Sequence, residues 1–123
     1  MRAAAGYVFD KAAGSVVMRA ASLEEQVKET LRAILMTRKG ERARKPEMGS
    51  ELHRYLFRPL SQALLAEIQA EVRGAITRCE PRVKVNEVQV RSHADAPERL
   101  DLRIDFEVKQ TRKPGQVRVE LHA

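Results

Sequence analysis

Leu100, Leu102, Ile104, Phe106 and Val108 alternate with Asp101, Arg103, Asp105, Glu107 and Lys109. Successive side chains of a strand point to opposite faces, so this run has one apolar face and one charged face. A sheet built on it is covered by other elements on one side only. Two helical patterns supply the cover. Leu23, Val27, Leu31, Ile34 and Leu35 recur at helical spacing behind Ser22, which forms a capping box with Glu25. Leu64, Ile68, Val72, Ala75 and Ile76 mark a second buried stripe on a helix expected from about Leu60 to Cys79. Glu67, Gln69, Glu71 and Arg73 are expected to solvate its other faces. Between these two, a shorter helix is expected from Gly49 or Ser50 through Leu52, Leu56 and Phe57, closing before Pro59. Its Tyr55 and Phe57 read as core residues.

The rest of the chain reads as strands. Tyr7-Val8-Phe9 and Ser15-Val16-Val17-Met18 flank a turn-like segment from Asp10 to Gly14. Val83 and Val85 alternate, as do Val88 and Val90, and the slip in phase at Asn86-Glu87 predicts a bulge. His93 to Glu98 and Thr111 to Gly115 read as hairpin turns. Val117, Val119 and Leu121 form a last short strand, blunted at the open edge by Arg118, Glu120 and His122. The expected fold is α+β and two-layer, an antiparallel β-meander with three helices packed on one face. At 123 residues the chain is read as one domain, 1–123.

Several function classes lack a signature. There is no phosphate-binding loop, dinucleotide turn or nucleophile elbow. Aromatic content of 4% without tryptophan argues against an aromatic-lined cofactor pocket, and no cofactor is expected. His53, His93 and His122 lack metal-ligand spacing. The one cysteine, Cys79, excludes an internal disulfide, suits a reducing compartment and reads as a buried apolar residue. No apolar run suited to a signal peptide follows Met1, and none approaches the ~20 residues of a membrane span. A soluble, cytoplasmic chain is expected, with no membrane or small-molecule partner.

Two clusters carry functional weight. Glu80-Pro81-Arg82 sits where the helical pattern gives way to alternating valines. Proline fixes its own φ and pushes Glu80 out of helical space, so the corner is stiff and carries opposite charges. It either ends the helix or presents an Arg fork and a carboxylate to a partner. The second cluster is Leu35-Met36-Thr37-Arg38-Lys39-Gly40-Glu41-Arg42, which opens a long loop reaching Ser50. Five of the 23 basic residues lie between Arg38 and Lys45, and the net charge is +6. That invites a nucleic-acid reading, but no stacking aromatics accompany the patch, and a solvated or protein-facing loop is favoured.

In order and spacing, Ile34 to Arg42, Pro46-Glu47-Met48-Gly49-Ser50, Leu56-Phe57-Arg58-Pro59 and Glu80-Pro81-Arg82-Val83 resemble the motifs iLxTxxGER, PxxGS, lFxP and EPR. Those motifs belong to the small baseplate wedge proteins of contractile phage tails, with relatives in type VI secretion and extracellular injection systems. The family was once labelled lysozyme-like. The resemblance covers essentially the whole chain. It implies a structural, non-enzymatic part of a virion or injection particle, assembled in the cytoplasm, that joins wedge to sheath and starts sheath assembly by strand exchange. Its implied partners are baseplate wedge proteins, sheath subunits and inner tube or hub proteins, with nucleic acid disfavoured. The implied contact residues are Glu80, Pro81 and Arg82 at the corner, Gly40, Glu41 and Arg42 in the loop, and Val117, Val119 and Leu121 in the last strand. Two departures stand out: Cys79 replaces a bulky aromatic before Glu80, and Ala43-Arg44-Lys45 makes the loop more basic.

Two other readings stay open on sequence. A peptidoglycan-cleaving enzyme would pair carboxylates drawn from Glu41, Glu47, Glu51 and Glu80, although the neighbouring cations would hold them ionised. A basic nucleic-acid module would use Arg38 to Lys45. On the structural reading, Arg82→Ala is expected to abolish wedge assembly and leave the fold intact.

Overall fold

The computed structural model describes residues 7–10, 17–20, 22–41 and 48–122. Strands β1 (Tyr7–Asp10) and β2 (Val17–Ala20) pair antiparallel, from Tyr7 opposite Ala20 to Asp10 opposite Val17. The turn expected between them lies outside the described residues, as do Ser15 and Val16.

Helix α1 (Leu23–Met36) starts where its capping box requires. The Ser22 hydroxyl accepts from the Glu25 N–H at 3.1 Å, and the Ser22 N–H donates to the Glu25 carboxylate at 3.5 Å. Val27, Leu31, Ile34 and Leu35 are fully buried, and Leu23 packs against the same core. Helix α2 (Gln62–Cys79) is capped by Ser61, whose hydroxyl accepts from the Leu64 N–H at 3.1 Å. Leu64, Ile68, Val72, Ala75 and Ile76 all point into the core, and Cys79 is half-buried beside them. Burying each large side chain contributes about 1.5–3 kcal/mol, so packing of these stripes holds the helices more than intrinsic propensity does.

The expected third helix is a single 3-10 turn, Leu52–Tyr55. The described residues therefore hold two α-helices, not three. The reason is local. Gly49 is left-handed at φ 114° and Phe57 at φ 68°, which leaves room for one tight turn and no more. Leu52, Tyr55 and Leu56 are buried as expected, but Phe57 is 62% exposed, because the chain reverses there and turns its side chain outward. Its N–H donates to the Pro97 carbonyl at 2.7 Å, tying this turn to the far hairpin.

Strands β3 (Val83–Ser92), β4 (Arg99–Val108) and β5 (Lys113–His122) form an antiparallel sheet in the order β3-β4-β5. The register shifts between Val85 and Glu87, where the valine pattern slips. The last strand is ten residues long, longer than expected. Alternation alone could not extend it through Lys113-Pro114-Gly115, which resembles a turn. Gly115 lies opposite Phe106, and a Cβ there would come within 2.5 Å of the ring, so the missing side chain makes room for the largest residue of the sheet core. The apolar faces of all three strands meet the helices, α2 over β3 and α1 over β5.

The segment joining the two helices is closed at its base. Thr37 to Lys39 runs parallel to Gly49 and Ser50: Ser50 N–H donates to the Thr37 carbonyl at 2.9 Å and Lys39 N–H to the Ser50 carbonyl at 3.0 Å. The buried Ser50 hydroxyl donates to the Leu35 carbonyl at 3.1 Å, which satisfies an acceptor at the end of α1. A Cβ on Gly49 would lie 2.6 Å from the Thr37 carbonyl oxygen, whereas one on Gly40 would meet nothing. Gly49→Ala should therefore destabilise by about 2–4 kcal/mol, through both clash and left-handed strain, and Gly40→Ala by about 1 kcal/mol through strain alone. Urea denaturation of the two variants checks this; equal losses would mean that the strands at the loop base separate freely.

Candidate functional site

The corner after α2 is a β-turn with proline at its second position, closed by the Val83 N–H and the Glu80 carbonyl at 3.4 Å. Glu80 ends the helix at φ −139°, ψ 81°, and its N–H still donates to the Ile76 carbonyl. Its side chain is 5% exposed. Arg82 folds back over the proline and grips it: Nε donates to Oε1 at 2.8 Å, Nη2 to Oε2 at 2.7 Å, and the Arg82 backbone N–H to Oε1 at 3.2 Å. The hydrogen bond with Glu80 raises the Arg82 guanidinium above its ordinary value, and partial burial offsets part of that. The two charges of the corner therefore serve each other first. One face of Arg82 stays in water, its side chain being 43% exposed.

Two further contacts fix the corner in place. Arg78, one turn back on α2, donates from Nη2 to the Gly49 carbonyl at 3.1 Å, which joins the loop base to the helix end. On the other side, the Lys109 N–H donates to the Arg82 carbonyl at 2.9 Å, which joins the corner to the β4–β5 turn. Gly40 and Glu41 are exposed at the mouth of the loop, where the Glu41 N–H donates to the Arg38 carbonyl at 3.0 Å. Arg42 lies outside the described residues. Corner and loop base are thus brought together. Val117, Val119 and Leu121 are not part of that cluster: their side chains are buried in the core, so β5 has only backbone and alternate side chains to offer a partner.

The free edges of the sheet differ. On β3, Gln69 donates from Nε2 to the Val88 carbonyl at 3.0 Å, and Arg73 donates to the Val85 and Asn86 carbonyls at 3.0 and 3.3 Å. These α2 side chains, expected only to be solvated, cover acceptors around the bulge. No strand among the described residues pairs with the outer side of β5. Pro114, which has no N–H to donate, stands opposite Glu107 in β5. Proline is tolerated in a strand where its nitrogen faces away from the neighbour, so the Pro114 phase is the outward one. Gln116, Arg118 and Glu120 share that phase and direct their backbone groups to the open side.

Of the carboxylates on which the enzymatic reading draws, Glu80 and Glu51 are engaged, while Glu41 is exposed at the mouth of the loop. Both Glu80 oxygens accept from Arg82, and Glu51 pairs with Arg54 at 3.6 Å. Glu47 lies outside the described residues. Tyr55 is buried, with Arg54 and Arg58 5.6 and 5.9 Å from its ring centre, so it offers no face for a base. Among the described residues no group of His, Cys, Asp and Glu is arranged to hold a metal, and no helix is long and apolar enough to cross a membrane.

The profile of the baseplate wedge protein gp25 family matches residues 21–113. The chain belongs to that family. The match takes in both helices, the loop, the corner and the sheet as far as the start of β5. Three solved structures are similar over most of the chain. A crystal structure of a candidate tail lysozyme from Geobacter sulfurreducens is 29% identical, with TM-score 0.76, covering 86% of this chain and 96% of the other. A chain of the anti-feeding prophage baseplate is 28% identical, with TM-score 0.65, covering 84% and 80%. A chain of the post-contraction pyocin R2 baseplate is 30% identical, with TM-score 0.61, covering 83% and 97%. No curated relative matches by sequence.

The clamp changes what the corner variant should do. Arg82→Ala strips two donors from a buried carboxylate, so it should cost about 1–2 kcal/mol of stability, at the lower end because water reaches Arg82. Arg82→Lys should cost less, keeping the charge and losing the fork. A urea midpoint unchanged in both would show that the clamp contributes nothing to folding.

His53, in the 3-10 turn, gives a second prediction. Its Nδ1 is buried without a hydrogen-bond partner. Burial, aided by Arg38 and opposed by Glu41, holds its pKa below the ordinary value. On acidification the unfolded chain takes up this proton first, so the His53 contribution is complete at neutral pH and is lost as pH falls through the unfolded value. Wild type should therefore lose more stability between about pH 7.5 and 5 than His53→Gln, as read by urea midpoints at each pH. Parallel profiles would contradict the assignment.

Proposed function

We propose that this chain is a non-enzymatic structural component of a contractile baseplate that joins wedge to sheath and starts sheath assembly. Acting as one domain over residues 1–123, it docks on wedge proteins through Glu80-Pro81-Arg82 and the adjoining Gly40-Glu41-Arg42 loop. It then accepts an extended strand from a sheath subunit along β5. Family membership and the baseplate setting of the anti-feeding prophage and pyocin relatives support the structural role. The observation that carries the strand-acceptor role is the difference between the edges: Gln69 and Arg73 cover acceptors on β3, while no strand among the described residues pairs with the outer side of the ten-residue β5. Main-chain bonds along such an edge supply affinity without a dedicated pocket. Inner tube or hub proteins are further neighbours on this reading, with assembly in the cytoplasm and residence in the finished particle.

The peptidoglycan-cleaving alternative has less support. A general acid needs a protonated carboxyl near its substrate, and Glu80 is both buried and gripped by a guanidinium. One similar structure does carry the tail-lysozyme description.

Deleting residues 117–123 would strip Val117, Val119 and Leu121 from the core, so a backbone probe is cleaner. Gln116→Pro removes one outward N–H from β5, together with the exposed side-chain bond from Gln116 to Asp105, and should leave the melting temperature within about 3 °C of wild type. Baseplates assembled with this variant should incorporate it normally and fail to grow sheath. Sheath extending normally from such baseplates would overturn strand addition at this edge and leave wedge docking standing.

A further inference from the structure

The charged face of the sheet, turned away from both helices, is not used by the corner or by the β5 backbone edge. Its side chains stand in rows set by the strand register. Gln89, Arg103 and Arg118 form one row, and Arg91, Asp101 and Glu120 the next. Arg103 and Arg118 are thus directly opposite each other on neighbouring strands, an arrangement of like charges that destabilises a sheet. The nearby carboxylates relieve it only in part, through one long contact from Asp105 to Arg103. Asp101 accepts from Arg99 at 3.1 and 3.3 Å and is 2.8 Å from His93 Nε2. Burial pushes the Asp101 carboxyl up, but the bonds from Arg99 and His93 outweigh this and hold it below the usual carboxylate range. Glu120 is engaged by Arg99 at 3.2 Å and by His122. Asp105 touches Arg103 at a long 3.5 Å and accepts from Gln116 at 3.0 Å.

What remains is unused donor capacity. The Arg103 Nε is buried with no hydrogen-bond partner. Arg91 and Arg118 make no side-chain hydrogen bond or ion pair among the described residues. These three, with Gln89, Arg99, Asp101 and Glu120, line an open hollow of about 530 Å³. It is lined by four guanidinium groups and two carboxylates, and both carboxylates are already held.

We propose that this hollow is a docking site for an acidic segment of a protein partner, whose Asp or Glu carboxylates are received by Arg91, Arg103 and Arg118. An arginine fork binds a carboxylate through two parallel N–H···O bonds, and a carboxylate between Arg103 and Arg118 turns their repulsion into attraction. The geometry favours separate carboxylates over nucleic acid. A continuous phosphate backbone crossing the hollow would pass over Asp101 and Glu120, and no aromatic side chain lines it for base stacking. The proposal does not rest on strand addition, which would use the backbone of β5.

The probe is a fluorescein-labelled peptide of alternating Glu and Ser, titrated with the full chain and read by anisotropy at about 50 mM salt, where surface charges are weakly screened. Arg103→Gln/Arg118→Gln should weaken binding by about tenfold or more, since it removes the charge-assisted donors. Its melting temperature should stay level or rise, because the opposed charges are gone. Lys39→Gln/Lys109→Gln removes the same charge from exposed sites elsewhere and should change affinity by less than about threefold. Arg118→Gln alone, at a side chain with no partner among the described residues, gives the same direction if the double variant folds poorly. Equal weakening by the two double variants would reduce the binding to net charge and overturn the proposal. A labelled oligothymidylate bound more tightly than the peptide, with the same dependence on Arg103 and Arg118, would overturn it in favour of nucleic acid. Competition by inorganic phosphate as effective as by unlabelled peptide would reduce the site to an adventitious ion only.

Discussion

A carboxylate removed from water is tolerated only when its oxygens find donors. Glu80 is such a group, set where α2 ends and β3 begins, and the order of the whole molecule passes through the way it is satisfied. Arg82 supplies the fork, and Pro81 fixes the reach that lets one residue grip its neighbour but one. Because the grip is local, the helix stops there and the strand leaves in a set direction. Arg78 and Lys109 then connect this point to the loop base and to the β4–β5 turn. Helix, loop and sheet meet at one charged corner, so a load on that corner is shared among them.

The parts of the fold that were legible in the sequence are those governed by repetition. Apolar stripes at helical spacing on α1 and α2, the alternation in β4 and the slip at Asn86-Glu87 each depend on neighbours within a few residues. The segment from Gly49 to Pro59 reads as a helix because Leu52 and Leu56 have helical spacing, while the left-handed backbone at Phe57 that stops it leaves no trace in composition. Lys113-Pro114-Gly115 reads as a turn and is strand, because pairing with β4 outweighs local preference. The candidate site was half legible. Glu80-Pro81-Arg82 announces a stiff charged corner, but the burial of Glu80 is a property of the packed molecule. Gln69 and Arg73 look like a solvated helix surface until the register of β3 places its carbonyls beneath them. The Arg103–Arg118 opposition is likewise invisible before the strands are paired.

The sheet divides its tasks by direction. Its inner face is the core, and α2 covers part of one edge; among the described residues no strand pairs with the other edge, and Arg91 and Arg118 on the outer face have no ion-pair partner. Solvated ionic faces ordinarily interleave opposite charges to limit repulsion. The rows through Gln89 and Arg91 lie toward the β3–β4 hairpin and away from the Glu80 corner. Contacts made at these two ends can therefore vary independently.

Pro114 has a mechanical consequence for anything laid alongside β5. A strand pairing there finds donors from Gln116 onward and none at the start, where the proline ring occupies the place of the hydrogen. Sliding one repeat toward the β4–β5 turn would set an acceptor against that ring and leave it dry and unbonded. On the strand-addition reading the ring would act as an end stop, setting the alignment of a neighbouring strand as well as offering it an edge.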